Sequence, residues 1–78
     1  DREVDFVTQG NDGQIRYIQV AVSITNQEKL DQELAVFKLI KDNYPKYILT
    51  MDEIFVPDHN GIKTMNIIDF LLGKSELN

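Results

Sequence analysis

Side-chain polarity alternates in two stretches near the start of the chain, which is the pattern of β-strands. Residues 3–8 alternate over a short run, and residues 14–24 form a longer run rich in β-branched side chains. Residues 9–13 are dense in turn formers, so the two strands are predicted to form a hairpin. One face of the longer strand is predicted to carry Ile18, Val20, Val22 and Ile24. The opposite face is predicted to carry Tyr17, Gln19, Ala21 and Ser23.

The apolar spacing changes to a helical period after the second strand. Thr25 and Glu28 form a capping-box pattern with Thr25 as the N-cap. The helix is predicted to run to about Asn43, because Pro45 cannot continue it. Its predicted buried stripe consists of Leu30, Leu34, Phe37, Ile40 and Tyr44.

The remaining sequence predicts two more strands and a short helix. Residues 47–51 are an apolar run with little alternation, typical of a central strand covered on both faces. A strand, a helix and a strand in succession predict a right-handed parallel crossover. Residues 57–61 indicate a loop, 63–67 a last strand, and 68–72 a short helix ending at Gly73. The predicted fold class is α/β, a small mixed sheet in the order β-β-α-β-β-α.

Composition narrows the class of protein. The 78 residues suffice for a single domain, expected over 1–78. Thirteen acidic and eight basic side chains give a net charge of −5, which argues against autonomous DNA or RNA binding. The absence of cysteine excludes disulfides and thiolate metal sites and fits a cytoplasmic protein. No apolar run approaches the roughly 20 residues of a membrane helix, so no membrane partner is expected. The abrupt start in strand-like sequence suggests a fragment of a longer chain.

Three residues on the predicted hairpin have the outline of a divalent-metal nuclease site. Asp5 lies on the first strand, and Gln19 and Ala21 share one face of the second, where a PD-(D/E)XK nuclease carries a carboxylate and a lysine. That chemistry needs carboxylates to hold magnesium and a lysine to stabilise charge on the phosphate. Gln19 offers only a neutral carbonyl oxygen, and Ala21 offers no polar group. The alternative interpretation is two polar residues on a partly exposed hairpin face.

Two other groups of acids are weaker candidates for a metal site. Glu3 and Asp5 form an i, i+2 pair that could hold a cation, or they form a solvated strand edge that discourages aggregation. The second group combines the end of the central strand with the next loop, and consists of Asp52, Glu53, Asp58 and His59. No glycine-rich phosphate loop, serine or cysteine triad, or dinucleotide fingerprint is present.

Four segments carry a resemblance to a known family: residues 3–7, 16–23, 39–53 and 60–73. They resemble the C-terminal domain of unknown function of prokaryotic AAA-type ATPases, and the resemblance covers essentially the whole chain. It implies a restriction-endonuclease-like core of the PD-(D/E)XK type, with the upstream ATPase module of the same longer chain as partner. This chain has no Walker motif with which to bind ATP.

The resemblance also implies a degenerate active site. Members of the family carry EVDF followed by an I-E-V-K stretch. By that match, Asp5 corresponds to the metal-binding acid, Gln19 replaces the second carboxylate and Ala21 replaces the lysine.

The leading hypothesis is a non-catalytic interaction or assembly domain of a cytosolic AAA-type ATPase, with no cofactor of its own. The alternative is a metal-dependent nuclease with a partial or migrated site that uses Mg²⁺ at Glu3, Asp5 and Gln19. A third hypothesis is a free-standing, toxin–antitoxin-like or regulatory binding protein. Weak homodimerisation is expected through the first strand or through residues 70–72.

Overall fold

A computed structural model describes residues 4–77, in which five strands form one mixed sheet with two helices. The strands are Phe6–Gln9 (β1), Ile15–Ala21 (β2), Lys46–Thr50 (β3), Asp58–His59 (β4) and Ile62–Asn66 (β5), and the helices are Gln27–Lys38 (α1) and Ile67–Leu71 (α2). The spatial order of the strands is β1-β2-β3-β5-β4. β2, β3 and β5 are parallel, and β1 and β4 flank them as antiparallel edge strands. The predicted mixed sheet and the parallel crossover from β2 to β3 are confirmed.

The segment predicted as a loop at residues 57–61 contains the additional strand β4. Asn60 and Gly61 have backbone φ angles of 54° and 91°, and they connect β4 to β5 as a tight hairpin turn. An Asn-Gly pair is a strong signal for such a turn because both residues tolerate positive φ. The prediction of a loop over residues 57–61 was therefore wrong, because β4 is only two residues long and shows no alternation of polarity.

The start of α1 differs by one residue from the prediction. Asn26 is the N-cap, and its side-chain oxygen accepts hydrogen bonds from the amides of Glu28 at 2.8 Å and Lys29 at 3.2 Å. The predicted cap, Thr25, instead places its hydroxyl 3.0 Å from the hydroxyl of Ser23. Asparagine is at least as good a cap as threonine, so two adjacent cap-forming residues left the boundary ambiguous.

The N-cap assignment predicts a difference between two neighbouring substitutions. Asn26→Ala should lower the free energy of unfolding by about 1 kcal/mol, because two helix amides lose their acceptor. Thr25→Ala should change it by less than about 0.5 kcal/mol, as is usual for exposed positions. Urea unfolding followed by circular dichroism measures both. Equal losses, or a larger loss for Thr25→Ala, would contradict the observed cap.

Helix α1 ends at Lys38, earlier than the predicted end near Asn43. The amides of Leu39 and Ile40 bond to carbonyls three residues back, which closes the last turn, and the chain then turns towards β3. Tyr44 consequently lies outside the helix and is exposed, so its assignment to the buried stripe was wrong. Val36, which the prediction omitted, is buried.

The sheet separates two apolar clusters, one on each face. The cluster under α1 has the buried residues Ile24, Leu30, Phe37 and Ile48, with Leu34 and Ile40 packed against it. The cluster on the α2 side has the buried residues Ile18, Tyr47 and Leu49, with Met65, Ile67 and Phe70 packed against it. Strand β3 contributes to both, which confirms that it is a central strand covered on both faces.

Several other strand and helix boundaries also differ from the predicted ones. Strand β2 ends at Ala21, so Val22 is 79% exposed and Ile24 turns into the α1-side cluster instead of continuing the strand. Strand β5 and helix α2 each begin one residue earlier than predicted. Helix α2 ends at Leu71 with Leu72 as its C-cap, and Gly73 follows with a backbone φ of 79°. Within residues 4–77, neither helix combines the length and the apolar character needed to cross a bilayer.

Candidate functional site

Asp5 and Gln19 lie opposite each other at the open end of the first hairpin. The register pairs Phe6 with Ile18, which places residue 5 across from residue 19. The amide of Asp5 donates to the side-chain oxygen of Gln19 at 3.0 Å, and the amide of Val20 donates to a carboxylate oxygen of Asp5 at 2.9 Å. The structure therefore brings together two of the three predicted site residues. Their side-chain oxygens accept backbone hydrogen bonds that join the two strands.

The face of β2 that carries Gln19 is covered. Tyr17 and Ala21, two residues to either side, both pack against the α1-side cluster, and Gln19 itself is only 3% exposed. Ala21 offers no polar group, and it contributes a methyl group to this packing. A phosphodiester cannot reach the Gln19 side chain from solvent without displacing neighbouring groups.

The donor set at the hairpin is poor for a hard cation. Magnesium demands octahedral oxygen coordination and binds through carboxylates, whereas this site pairs one carboxylate with one neutral amide. Glu3, the other predicted metal candidate, lies outside the described residues. In the range 4–77, no group of three or more His, Asp or Glu side chains is placed to hold a metal ion.

The second candidate group comes from the segment after β3 and from β4, and its side chains make other contacts. Asp52 accepts a hydrogen bond from the Ile24 amide at 2.8 Å, and this bond holds the pKa of Asp52 below its usual value against the opposing effect of burial. Asp58 pairs with Lys63 at 2.5 Å, which likewise lowers the pKa of Asp58. His59 lines a cavity of about 260 Å³ beside Asp52, with its Nε2 atom buried and without a hydrogen-bond partner. The structure does not gather these side chains into a metal centre.

A polar network fixes the turn from α1 into β3. The Tyr17 hydroxyl donates to Asp42 at 2.5 Å, which lowers the pKa of Asp42 and raises that of Tyr17. The Lys46 ammonium donates to the carbonyls of Asp42 and Tyr44 at 3.0 and 2.9 Å, and lies 5.5 Å from the centre of the Tyr17 ring. The stretch around Pro45 thus has a structural role in this turn.

Asn66 links the carboxyl ends of β3 and β5, and this role was not predicted from the sequence. The Asn66 amide nitrogen donates to the carbonyl of Asp52 at 2.9 Å, and its oxygen accepts from the Asp69 amide at 3.0 Å as the N-cap of α2. An asparagine followed three residues later by an acid resembles a helix start, and this signal was available in the sequence. Asn66 also lines a surface groove at the carboxyl ends of these strands.

Comparisons with known proteins gave no match that identifies this chain. No family model matches it, and no curated protein or solved structure matches it either.

Proposed function

We propose that this chain is a non-catalytic, restriction-endonuclease-like interaction domain of a cytoplasmic AAA-type ATPase. Its partner is the ATPase module of the same longer protein. The observation that carries the proposal is the state of Gln19, whose side chain is 3% exposed and accepts the amide hydrogen bond of Asp5. A residue used in this way holds the hairpin together and is not available to a substrate or a cation.

The chemistry of the hairpin supports the non-catalytic part of the proposal. Phosphodiester cleavage needs a metal-bound nucleophile and a positive group near the developing charge on the phosphate. Ala21 supplies no charge, and within residues 4–77 the side-chain oxygens of Asp5 and Gln19 accept hydrogen bonds from the backbone amides of Val20 and Asp5. The net charge of −5 would also repel nucleic acid from the isolated domain.

The part of the proposal that names an ATPase is supported by the four resembling segments, which span both the hairpin and the helix-to-strand turn. The structure is consistent with an interaction domain in one further respect. Apolar side chains remain exposed at several places in residues 4–77, including Val22, Ile54, Val56, Leu71 and Leu72.

The purified chain should not cleave single- or double-stranded DNA in the presence of Mg²⁺ or Mn²⁺. The physical reason is that one carboxylate beside a neutral amide does not position an ion and a water molecule for attack. The measurement is a gel assay with labelled DNA at several metal concentrations, compared with DNA incubated without protein.

Asp5→Ala provides the matched variant for this assay. Metal-dependent cleavage by the wild-type chain that disappears in Asp5→Ala would establish the nuclease alternative and overturn the proposal. Equal cleavage by both proteins that disappears on further purification comes from a contaminant, whereas equal cleavage that persists would show a site elsewhere in the chain and would also overturn the proposal.

A further inference from the structure

The chain leaves the neighbouring strands β3 and β5 towards opposite faces of the sheet. After β3 it passes to the α1 side, where Phe55 packs against the α1-side cluster. After β5 it passes directly into α2, where Phe70 packs against the other cluster. Parallel strands whose connections diverge in this way leave a crevice at their carboxyl ends, where α/β proteins commonly bind ligands.

A groove of about 380 Å³ occupies this crevice, and we call it the carboxyl-end groove. Five residues line it: Met51, Glu53, Asn66, Ile68 and Asp69. Met51 is 50% exposed and Ile68 is 44% exposed, so the groove presents apolar surface to solvent. Among residues 4–77, its two charged lining residues, Glu53 and Asp69, are both acidic, and none of its lining residues is basic.

The groove is held in shape before any partner arrives. Asn66 donates hydrogen bonds from its amide nitrogen to the carbonyls of Met51 and Asp52, at 3.4 and 2.9 Å. The same side chain caps α2 through the Asp69 amide. The end of β3 and the start of α2 are therefore fixed relative to each other, which reduces the entropy that binding would cost.

We propose that the carboxyl-end groove binds a cationic segment of a partner protein, in which a lysine or arginine side chain fills the groove. The aliphatic stem of such a side chain would lie on Met51 and Ile68, and its charged end would meet Glu53 and Asp69. Lysine and arginine have this combination of an apolar stem and a charged head. The proposal deepens the proposed function, because it assigns one surface and one partner chemistry to the interaction domain.

Charge complementarity favours this occupant over others. An acidic groove on a chain of net charge −5 repels nucleic acid and acidic peptides. A second copy of the same chain would bring a like net charge to the groove. A free divalent ion would leave the exposed surface of Met51 and Ile68 uncovered, whereas a basic side chain covers it.

Two synthetic peptides test the inference by nuclear magnetic resonance. Both are twelve-residue amphipathic peptides of the same length and pattern, one of lysine and leucine and the other of glutamate and leucine. The lysine peptide should shift the methyl signals of Met51 and Ile68 in a saturable manner, and the glutamate peptide should not. The binding should weaken as salt rises, because exposed charge pairs are screened.

Matched double substitutions assign the effect to the groove. The double substitution of Glu53→Gln with Asp69→Asn should lower the affinity for the lysine peptide by roughly fivefold, as expected for the loss of two exposed charge pairs. Glu28→Gln with Asp31→Asn makes the same change in net charge on α1 and should leave the affinity unchanged. An equal loss in both double variants would show a general charge effect and overturn the inference.

Three further outcomes would overturn it. These are equal binding of both peptides, shifts confined to residues outside the groove, and saturation of the groove by Mg²⁺ in place of the peptide. None of these results bears on catalytic silence, which the DNA assay measures separately. Conversely, DNA cleavage that depends on Asp5 would refute the proposed function while leaving peptide binding at the groove intact.

Discussion

Phe37→Ala should lower the free energy of unfolding by about 3–5 kcal/mol, the range for deleting a fully buried phenylalanine. Phe37 is 2% exposed and belongs to the cluster between α1 and the sheet. The substitution removes most of that contact and leaves a cavity that the surrounding side chains only partly fill. Because domains are stable by only about 5–15 kcal/mol, this loss is a large share of the total stability, and the variant should melt at a clearly lower temperature than the wild type.

Leu39→Ala is the matched control for this prediction. Leu39 is apolar, lies two residues further along the chain, and is 71% exposed, so its truncation should cost less than about 0.5 kcal/mol. Thermal and urea unfolding followed by circular dichroism measure both variants. A loss below about 1 kcal/mol for Phe37→Ala would mean that α1 does not cover the sheet as described.

Gln19→Glu should destabilise the domain by about 2–4 kcal/mol at neutral pH, since it buries a charge beside another carboxylate. The introduced carboxyl group would still accept the Asp5 amide, but it would do so at a position that is 3% exposed. Burial and the neighbouring Asp5 carboxylate should raise its pKa in the folded state above the unfolded value of about 4.3. A raised pKa in an acid means that the folded state holds its proton longer, so stability should fall as pH rises above that value.

Gln32→Glu makes the same chemical change on the exposed surface of α1 and should have an effect within about 0.5 kcal/mol at any pH. The measurement is urea unfolding of both variants and the wild type between about pH 4 and pH 8. The difference between Gln19→Glu and wild type should shrink towards the acidic end. Addition of Mg²⁺ should not restore the lost stability; a recovery of most of it would show that the hairpin retains a metal site.

The local sequence pattern was sufficient for much of the fold. The capped, periodic stretch after residue 25 located α1, and the unalternating run at 47–51 located the central strand. The predicted succession of strand, helix and strand gave the parallel pairing of β2 with β3. These features were accessible because period and capping chemistry are properties of neighbouring residues. The short strand β4 was missed for the same reason, since two residues establish no period.

The candidate site could be predicted only in part. Strand alternation placed Gln19 and Ala21 on one face, and the hairpin placed Asp5 across from Gln19. The sequence did not reveal that the side chains of Asp5 and Gln19 accept backbone hydrogen bonds. It also did not reveal that the face of β2 with Gln19 and Ala21 packs under α1. Those facts depend on which face of the sheet the helix packs against.

The net negative charge, the lack of a lysine at position 21 and most of the strands and helices can be read directly from the residues. The partners of the polar residues between those strands and helices depend on the three-dimensional fold. Asp52 and Asp58 are close in the sequence, yet Asp52 accepts the amide of Ile24 from the other end of α1, whereas Asp58 pairs with Lys63 on the neighbouring strand β5. Met51 and Asp69 are far apart in the sequence, yet they line one groove because β3 and β5 end side by side. Long-range pairing of strands fixes such neighbours, and no local pattern encodes it.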